Sequence, residues 1–492
     1  MKKKIVMLIC SILLIEQASI SFPVNAGIQE QQELYAVIKE TNQKNMDLDA
    51  PQELMEQFRY DYKNNKPKVT KKDNGLMWKE YDRKNVKKRI KAASARKEVG
   101  WLFRLLRSQY GLYTYYGGDV KFGKAKKAVL ADIGTEGSVS TKKYQKILHK
   151  HLGFITDEHL AIGEELFGAP VRLFSDESVH YIKNGGQYFV EGSLQDAVLE
   201  INGKQPDVYL KRAIDEDGHL TYFPYAMLKQ KKDTCSCKVR YQSGRTENIT
   251  LKPAEYAGQK NVERMYGYDK YDGAAYIEMN LAYMEDEFPN ERREFLKDIA
   301  DMKKQERLIF DLRNNPGGDG TLVDEWFQSY TGRKLLPNYS TLRIRPVWIS
   351  SAEEMREMDE FADDIGLKKS GKYYYYQYPK HQYLENGGRQ IYVLTSRRTS
   401  SAAEAMTDAL KNIENTVTIG TNTGGVLINM ANYYMAMPYS GLFFQFGESL
   451  QHFDDSYFQE SYGMEPDIYL TGKNLDERLE KFFRIYVDGL SL

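Results

Sequence analysis

The sequence predicts an α/β protein with a mainly parallel sheet, preceded by a helical region and a small β-rich domain. From Ala275 onward, short apolar segments alternate with amphipathic ones, which is typical of strands joined by helices that pack on a parallel sheet. Between residues about 165 and 255, short apolar runs are broken by turn pairs such as Asn202-Gly203, which favours short strands joined by tight turns. From Ala92, apolar residues recur at helical spacing.

The helical region begins with one amphipathic stripe. Its apolar positions follow the i, i+3, i+4 spacing of a helix with one buried face, and they are Val99, Leu102, Phe103, Leu106 and Tyr110. A further helix is predicted over residues about 142–152, and Gly153 is placed to act as its C-cap.

The alternating region supplies the remaining predicted elements in order. The predicted strands are Ala275–Met279, Leu308–Leu312, Ile391–Leu394 and Thr416–Ile419. The predicted helices are Asn290–Met302, Leu322–Tyr330 and Ser401–Lys411. Residues 332–389 show little periodicity and are predicted to be an insertion.

The first residues resemble a secretory leader. Three lysines precede an apolar run from Ile5 to Ile15, and Val24-Asn25-Ala26 offers small residues for cleavage before Gly27. The run is too short to span a bilayer, so we expect a secreted or cell-envelope protein without a transmembrane helix. Removing residues 1–26 leaves 66 basic and 68 acidic residues, a balance that gives no reason to expect a nucleic-acid partner.

The composition shifts divide the chain into five expected segments. These are a leader over residues 1–26, a polar, lysine-rich arm or linker over 27–91, a helical region over 92–164, a β-rich domain over 165–256, and an α/β domain over 257–492. The arm is expected to be loosely packed. A solvated charged face explains its lysines, and contact with an anionic cell surface is the alternative.

The turn after the strand Ile391–Leu394 is suited to hold a nucleophile. Ser400 and Ser401 stand where the next helix begins, so a hydroxyl there lies beside backbone N–H groups that favour negative charge. Acyl transfer needs a nucleophile and oxyanion donors at one point. The alternative is that these serines only cap the helix.

A second loop can supply the oxyanion donors. Gly317-Gly318 follows the strand Leu308–Leu312, and glycines leave backbone N–H groups approachable. If both strands are parallel in one sheet, their carboxyl ends share an edge, and Gly317 or Gly318 can face Ser401 together with the N–H of Ala402. A glycine-requiring turn is the alternative, and no nucleotide-binding signature accompanies the pair.

Three blocks together resemble the tail-specific, or carboxy-terminal processing, serine proteases. They are Asp311-Leu-Arg-Asn-Asn-Pro-Gly-Gly318, Ser401-Ala-Ala-Glu404 and Gly420-Thr-Asn-Thr-Gly-Gly425. The resemblance implies a crotonase-like β/α catalytic core, with Ser401 as the nucleophile. Glu404 and Thr423 are expected to support the site; a first-turn carboxylate favoured by the helix dipole and an ordinary strand-end threonine are the alternatives. The β-rich segment similarly resembles a divergent PDZ domain.

One departure from the family pattern concerns the catalytic base. Members with a Ser-Lys dyad carry the lysine directly after the third block, where this chain has Val426, and a valine cannot accept a proton. The chain instead resembles the Ser-His-Glu branch, similar to the tricorn core protease. His159 lies in a segment like that branch's D-x-H motif, and Glu460 begins a block like its E-x-Y-G-x-x-P-D motif.

The sequence therefore predicts a secreted serine endopeptidase that acts on protein or peptide substrates without a metal or cofactor. In this hypothesis His159 deprotonates Ser401, and Glu460 binds the other ring nitrogen to fix the tautomer. An inactive, peptide-binding pseudoprotease is the alternative, favoured by Val426. A Ser-Lys enzyme that uses Lys411 is a third, weaker possibility because no motif positions that lysine.

Overall fold

The computed structural model describes residues 24–48, 51, 55–61, 79–169, 171–229, 233–256, 264–271, 274–282, 289–344, 356, 359–360, 363, 368–370, 373–376 and 382–487. Most of the expected leader, residues 1–23, lies outside these described residues. The same holds for much of the expected insertion between 345 and 381.

The described helices are α1 (Val24–Met46), α2 (Ala92–Gln109), α3 (Gly118–Ile133), α4 (Thr141–Leu152), α5 (Pro289–Met302), α6 (Thr321–Thr331), α7 (Ala402–Lys411) and α8 (Leu475–Phe482). A short π-helical turn, Phe483–Val487, continues α8. The strands of the N-terminal half are β1 (Arg89–Lys91), β2 (Ser138–Ser140), β3 (Ala161–Ile162), β4 (Glu165–Leu166), β5 (Val171–Ser175), β6 (Tyr181–Asn184), β7 (Gln187–Val190), β8 (Val198–Ile201), β9 (Leu210–Ile214), β10 (Leu220–Lys229), β11 (Cys235–Tyr241) and β12 (Thr246–Pro253).

The strands of the C-terminal half are β13 (Tyr266–Tyr271), β14 (Ala274–Met279), β15 (Arg307–Asp311), β16 (Ser340–Ile344), β17 (Lys368–Ser370), β18 (Tyr373–Tyr376), β19 (Gln390–Thr395), β20 (Thr416–Gly420), β21 (Asn429–Ala436), β22 (Phe443–His452), β23 (Phe458–Gln459), β24 (Gly463–Met464) and β25 (Ile468–Tyr469). The predicted elements of the alternating region match these strands and helices to within two residues at each end. The predicted C-cap at Gly153 is also observed, at the end of α4.

The catalytic half is built on a parallel sheet covered on both faces. Strands β14, β15, β19, β20 and β25 pair in parallel in that order. In β19, Ile391 and Val393 pack with α5, α6 and α7 on one face, whereas Tyr392 and Leu394 pack with α1 and α8 on the other. Burial on both faces explains why this strand is a continuous apolar run, and the predicted α/β class is confirmed.

The β-rich domain continues the same sheet. Strands β5 to β12 are paired antiparallel around a core of their own that contains Phe174, Ile201 and Val239. Strand β9 joins the catalytic sheet through a parallel pairing with β25, where Tyr469 faces Ala213. The mixed fold is therefore a β/α core with an attached β-rich domain.

A second sheet connects the helical region to the catalytic core. Its central strand, β22, pairs with β21, β16 and the short strand β3. Because β3 follows His159 directly, the pairing of Ile162 with Phe444 fixes the segment that carries this histidine. Strands β16, β17 and β18 come from the expected insertion.

The prediction of a loosely packed N-terminal arm is wrong for α1 from Leu34 onward. Leu34, Val37 and Ile38 are buried against the core that contains Tyr392 and Val417. The stripe continues with buried Thr41 and Asn45. Because the buried face of α1 ends in polar residues, its apolar periodicity is too weak for the sequence to predict that this helix is packed against the core.

In the part of the chain that the structure describes, no helix combines the length and the hydropathy required to cross a bilayer.

Candidate active site

The carboxyl ends of β15 and β19 lie side by side, as parallel strands require. Asp311 faces Leu394 in the register of this pair. The loops that follow are joined by hydrogen bonds, since Ser396 Oγ donates to Arg313 O at 2.6 Å and Ser400 N donates to Asn315 O at 3.0 Å. The Gly317-Gly318 loop and the Ser401 turn therefore face each other, as the sequence predicted.

Ser401 stands at the N-cap position of α7 with an unusual backbone. Its φ of 53° and ψ of −121° fall outside the regions that L-residues populate freely. Its N–H donates to Glu404 Oε2 at 3.0 Å. This contact fixes the sharp turn to the first turn of the helix.

Glu404 is fully buried and binds a second loop. Its Oε1 accepts from Thr423 Oγ1 at 2.6 Å and from Gly425 N at 2.8 Å, and its Oε2 accepts from Val426 N at 2.8 Å. Burial raises the pKa of Glu404, and these donors oppose the shift. Of the two expected supporting residues, Glu404 is therefore joined directly to Ser401, and the Thr423 side chain is joined to it through Glu404.

The oxyanion donors expected at Gly317, Gly318 and Ala402 are not equivalent. Gly317 N donates to Asn315 Oδ1 at 2.9 Å, so this N–H already has an acceptor and the prediction for it is corrected. The N–H groups of Gly318 and Ala402 have no protein acceptor among the described residues. A Cβ at Gly317 would lie 2.6 Å from Ser401 Cβ, so this glycine is required for close approach instead.

His159 meets Ser401 across the crevice. Its Nε2 lies 3.2 Å from Ser401 Oγ, although the two residues are 242 positions apart in the sequence. The distance is that of a hydrogen bond between a base and a nucleophile. The predicted pair of Ser401 and His159 is brought together by the fold.

Burial keeps the ring of His159 neutral. The side chain is 6% exposed, and burial lowers the pKa of His159 to about 4, with the Asn429 backbone opposing the shift. By strict hydrogen-bond geometry its Nδ1 has no partner within the described part of the chain, although the Asn429 backbone lies close enough to the ring to act on its pKa. A neutral imidazole with a free Nε2 lone pair can accept the Ser401 proton near pH 7.

The structure does not bring Glu460 to the His159 ring. Instead, Glu460 Oε1 accepts from Glu158 N at 3.1 Å, while Oε2 accepts from Leu427 N at 3.3 Å and Ile428 N at 3.2 Å. Burial, followed by repulsion from Asp157, raises the pKa of Glu460 well above its ordinary value. The expected contact with Nδ1 is replaced by contacts with backbone on both sides of His159.

Neither position considered for a lysine base supplies one. Val426 contributes its backbone N–H to Glu404. Lys411 ends α7 and is buried, with Nζ 3.9 Å from Asp467 Oδ2. Ten residues of helix separate it from Ser401, which corresponds to about 15 Å. The structure therefore gives no support to a Ser-Lys dyad.

Sequence reasoning missed three buried groups beside the pair. Asp157 Oδ1 accepts from His159 N at 2.8 Å, and Asp157 Oδ2 accepts from Asn429 Nδ2 and from Tyr110 OH, both at 2.7 Å. Asp157 belongs to the quoted D-x-H motif, which was the available signal. Asn429 and Tyr110 lie in unrelated stretches and carry no motif.

The comparisons with known proteins are consistent with this geometry. Residues 273–470 match the model of peptidase family S41. No curated protein matches the chain.

Solved structures with similarity to the chain include several proteases. Mature CPAF is 16% identical, with a TM-score of 0.41, and the match covers 80% of this chain and 95% of that one. A putative peptidase from Parabacteroides merdae is 13% identical, with a TM-score of 0.39 and coverages of 80% and 95%. The photosystem II D1 C-terminal processing protease is 14% identical, with a TM-score of 0.36 and coverages of 80% and 97%.

TM-scores of this size support no inference about individual residues. The family match covers β14, β15, β19, β20 and β25 together with the Gly317-Gly318 loop and the Ser401 turn, and it confirms the resemblance found in the sequence. Over residues 273–470 the chain is similar to peptidase family S41, and this match supports a serine-type peptidase.

Proposed function

We propose that the protein is a secreted endopeptidase in which Ser401 is the nucleophile and His159 the general base. The observation that carries this proposal is the 3.2 Å distance between His159 Nε2 and Ser401 Oγ. The oxyanion donors are the N–H groups of Gly318 and Ala402.

The reaction proceeds in two steps of acyl transfer. Ser401 Oγ attacks the carbonyl carbon of the scissile peptide bond while His159 Nε2 takes the hydroxyl proton. The N–H groups of Gly318 and Ala402 stabilise the oxyanion. The intermediate collapses, the amine leaves with the proton from His159, and an acyl-Ser401 ester remains. Water, deprotonated by His159, then hydrolyses the ester and restores the Ser401 hydroxyl.

Two further parts of the proposal concern location and substrate capture. Secretion is supported by the basic and apolar pattern of the leader, with cleavage after Ala26. The β-rich domain is proposed to be PDZ-like and to bind the substrate chain, because antiparallel strands such as β5 to β12 can accept an extended peptide at a sheet edge.

Fluorophosphonate labelling tests the catalytic pair without knowledge of the substrate. Wild-type protein should form a covalent adduct at Ser401. The adduct should be absent in Ser401→Ala and should form about 10²- to 10⁴-fold more slowly in His159→Ala, the usual contribution of a general base. Ser400→Ala is the matched control, since it removes the neighbouring hydroxyl and should retain the label.

The results separate this proposal from the alternative of an inactive, peptide-binding pseudoprotease. That alternative is favoured by Val426 and by the unpartnered Nδ1 of His159, because a base without an orienting partner is weakened. Wild-type protein that binds peptides but neither labels nor cleaves them would support the pseudoprotease. Labelling that is unchanged in His159→Ala would reject the base while leaving Ser401 as the nucleophile.

A further inference from the structure

One short stretch of chain is held by three carboxylates in succession, of which Glu404 and Asp157 are fully buried and Glu460 is half-buried. We name residues 423–429 the strap. Its first part, Thr423 to Val426, donates three hydrogen bonds to Glu404. The backbone N–H groups of Leu427 and Ile428 donate to Glu460. The Asn429 side chain donates to Asp157 at 2.7 Å.

Each of these carboxylates also holds a backbone N–H beside the catalytic pair. Glu404 accepts from Ser401 N at 3.0 Å. Glu460 accepts from Glu158 N at 3.1 Å, and Asp157 accepts from His159 N at 2.8 Å. The strap therefore connects the nucleophile turn to the histidine segment, and the two consecutive N–H groups of residues 158 and 159 are each held by a different carboxylate.

We propose that Asp157 is the positioning residue of His159 and that, together with Glu460, it sets the distance from His159 to Ser401 through the strap. This inference rests on the proposed function, since it assigns how the proposed base is held. Among the described residues, no side chain forms a hydrogen bond of good geometry with Nδ1 of the His159 ring, so the backbone and packing of His159 largely determine where the ring lies. Asp157 controls that backbone directly.

A carboxylate is required at position 157 because three donors converge on two oxygens. Tyr110 OH, from the end of α2, and Asn429 Nδ2 share Oδ2, while His159 N occupies Oδ1. Asp157 is fully buried, and a buried donor that loses its acceptor carries a desolvation penalty. An asparagine would turn an NH2 group toward Asn429 or His159, and the segment would shift.

The test uses the rate constant kinact and the inhibition constant KI for fluorophosphonate labelling of the full chain. In Asp157→Asn, kinact should fall about 10²-fold, the effect of displacing a reacting group by about 1 Å, while KI stays within about twofold. The double variant Asp157→Asn/Asn429→Asp exchanges the two side chains. An amide NH2 group at position 157 can then donate to a carboxylate at position 429. The double variant should recover most of kinact.

A matched control separates positioning from stability. Asp408 is also fully buried and accepts the same kinds of donors, namely Asn338 N, Asn338 Nδ2 and Tyr457 OH. Asp408→Asn should lower the thermal midpoint as Asp157→Asn does, yet leave kinact within about twofold of wild type. If folded Asp157→Asn has the kinact of Asp408→Asn, the positioning role is rejected.

A second pair of variants decides the question if Asp157→Asn does not fold. Tyr110→Phe removes one donor to Asp157 and should lower kinact several-fold, whereas Tyr457→Phe removes the equivalent donor to Asp408 and should not. Equal kinact in these two variants would reject the role of Asp157. If wild type does not label, or if Ser401→Ala still labels, the proposed function fails, which is distinct from failure of the positioning role alone.

Discussion

At the scale of residues, the Ser401 backbone is the most constrained feature of the site. A non-glycine residue at φ 53° and ψ −121° costs on the order of 1–3 kcal/mol, which the surroundings must offset. Glu404 holds the Ser401 N–H, and Gly317 lies against the Ser401 side chain because it has no Cβ. The strained turn directs Oγ toward His159.

The lowered pKa of His159 predicts an acid-tolerant enzyme. Catalysis needs the neutral ring, and burial lowers the pKa of His159 to about 4, so the ring stays neutral as pH falls through its ordinary value near 6.5. The second-order labelling rate should therefore be nearly constant from pH 8 to about 5 and half-maximal near pH 4. Rates measured across this range, with circular dichroism to confirm folding at each pH, check this. A midpoint near 6.5 would contradict it.

Substitution at Gly317, where φ is 107°, should abolish activity through close contact in addition to backbone strain. Gly317→Ala places a Cβ 2.6 Å from Ser401 Cβ and 2.8 Å from Ser400 O, and neither can move without displacing the nucleophile. We expect labelling to fall more than about 10²-fold. Gly332→Ala is the control, since it also has positive φ, 71°, but nothing within 4 Å of the added Cβ. That variant should lose about 1 kcal/mol of stability and keep its labelling rate.

The residues that the sequence could identify are those with a recognisable local pattern. Ser401, His159 and Glu460 were found through motifs. The partner of Glu460 was nevertheless predicted wrongly, because Glu460 binds backbone N–H groups. Every residue type except proline has such a group, so the sequence does not reveal which residues the carboxylate binds. Asn429 was missed for a related reason. Its hydrogen bond to Asp157 joins residues that are 272 positions apart, and sequence periodicity predicts contacts only between residues that are close in the chain.

At the scale of elements, alternation and periodicity predicted the catalytic core well. The strand Ile391–Leu394 is buried on both faces, and α7 is buried along its whole length, so their patterns are dominated by packing. Helix α1 was missed as a packed element because its buried stripe includes Thr41 and Asn45. Polar residues at buried positions weaken the apolar periodicity on which the prediction depends.

At the scale of the whole molecule, distant parts of the chain complete each layer. The proposed base, His159, follows the helical region in the chain. Strand β25 joins the catalytic sheet to β9 of the β-rich domain. Helix α1 and α8 cover the face of the parallel sheet that α5, α6 and α7 leave uncovered. Stability therefore depends on segments far from the site in sequence, including one that resembled a linker.

Truncation of a buried residue in α1 should therefore destabilise the entire protein. Leu34 is 1% exposed and packs with Val417 and Ile419, so Leu34→Ala should lower the free energy of unfolding by about 2–4 kcal/mol. The neighbouring Tyr35 is 70% exposed, and Tyr35→Ala should change it by less than about 0.5 kcal/mol. Urea unfolding of both variants measures the difference. Labelling of folded protein should be unchanged in each, because α1 contacts neither Ser401 nor His159. Equal free energies of unfolding in Leu34→Ala and Tyr35→Ala would mean that α1 does not belong to the folded core.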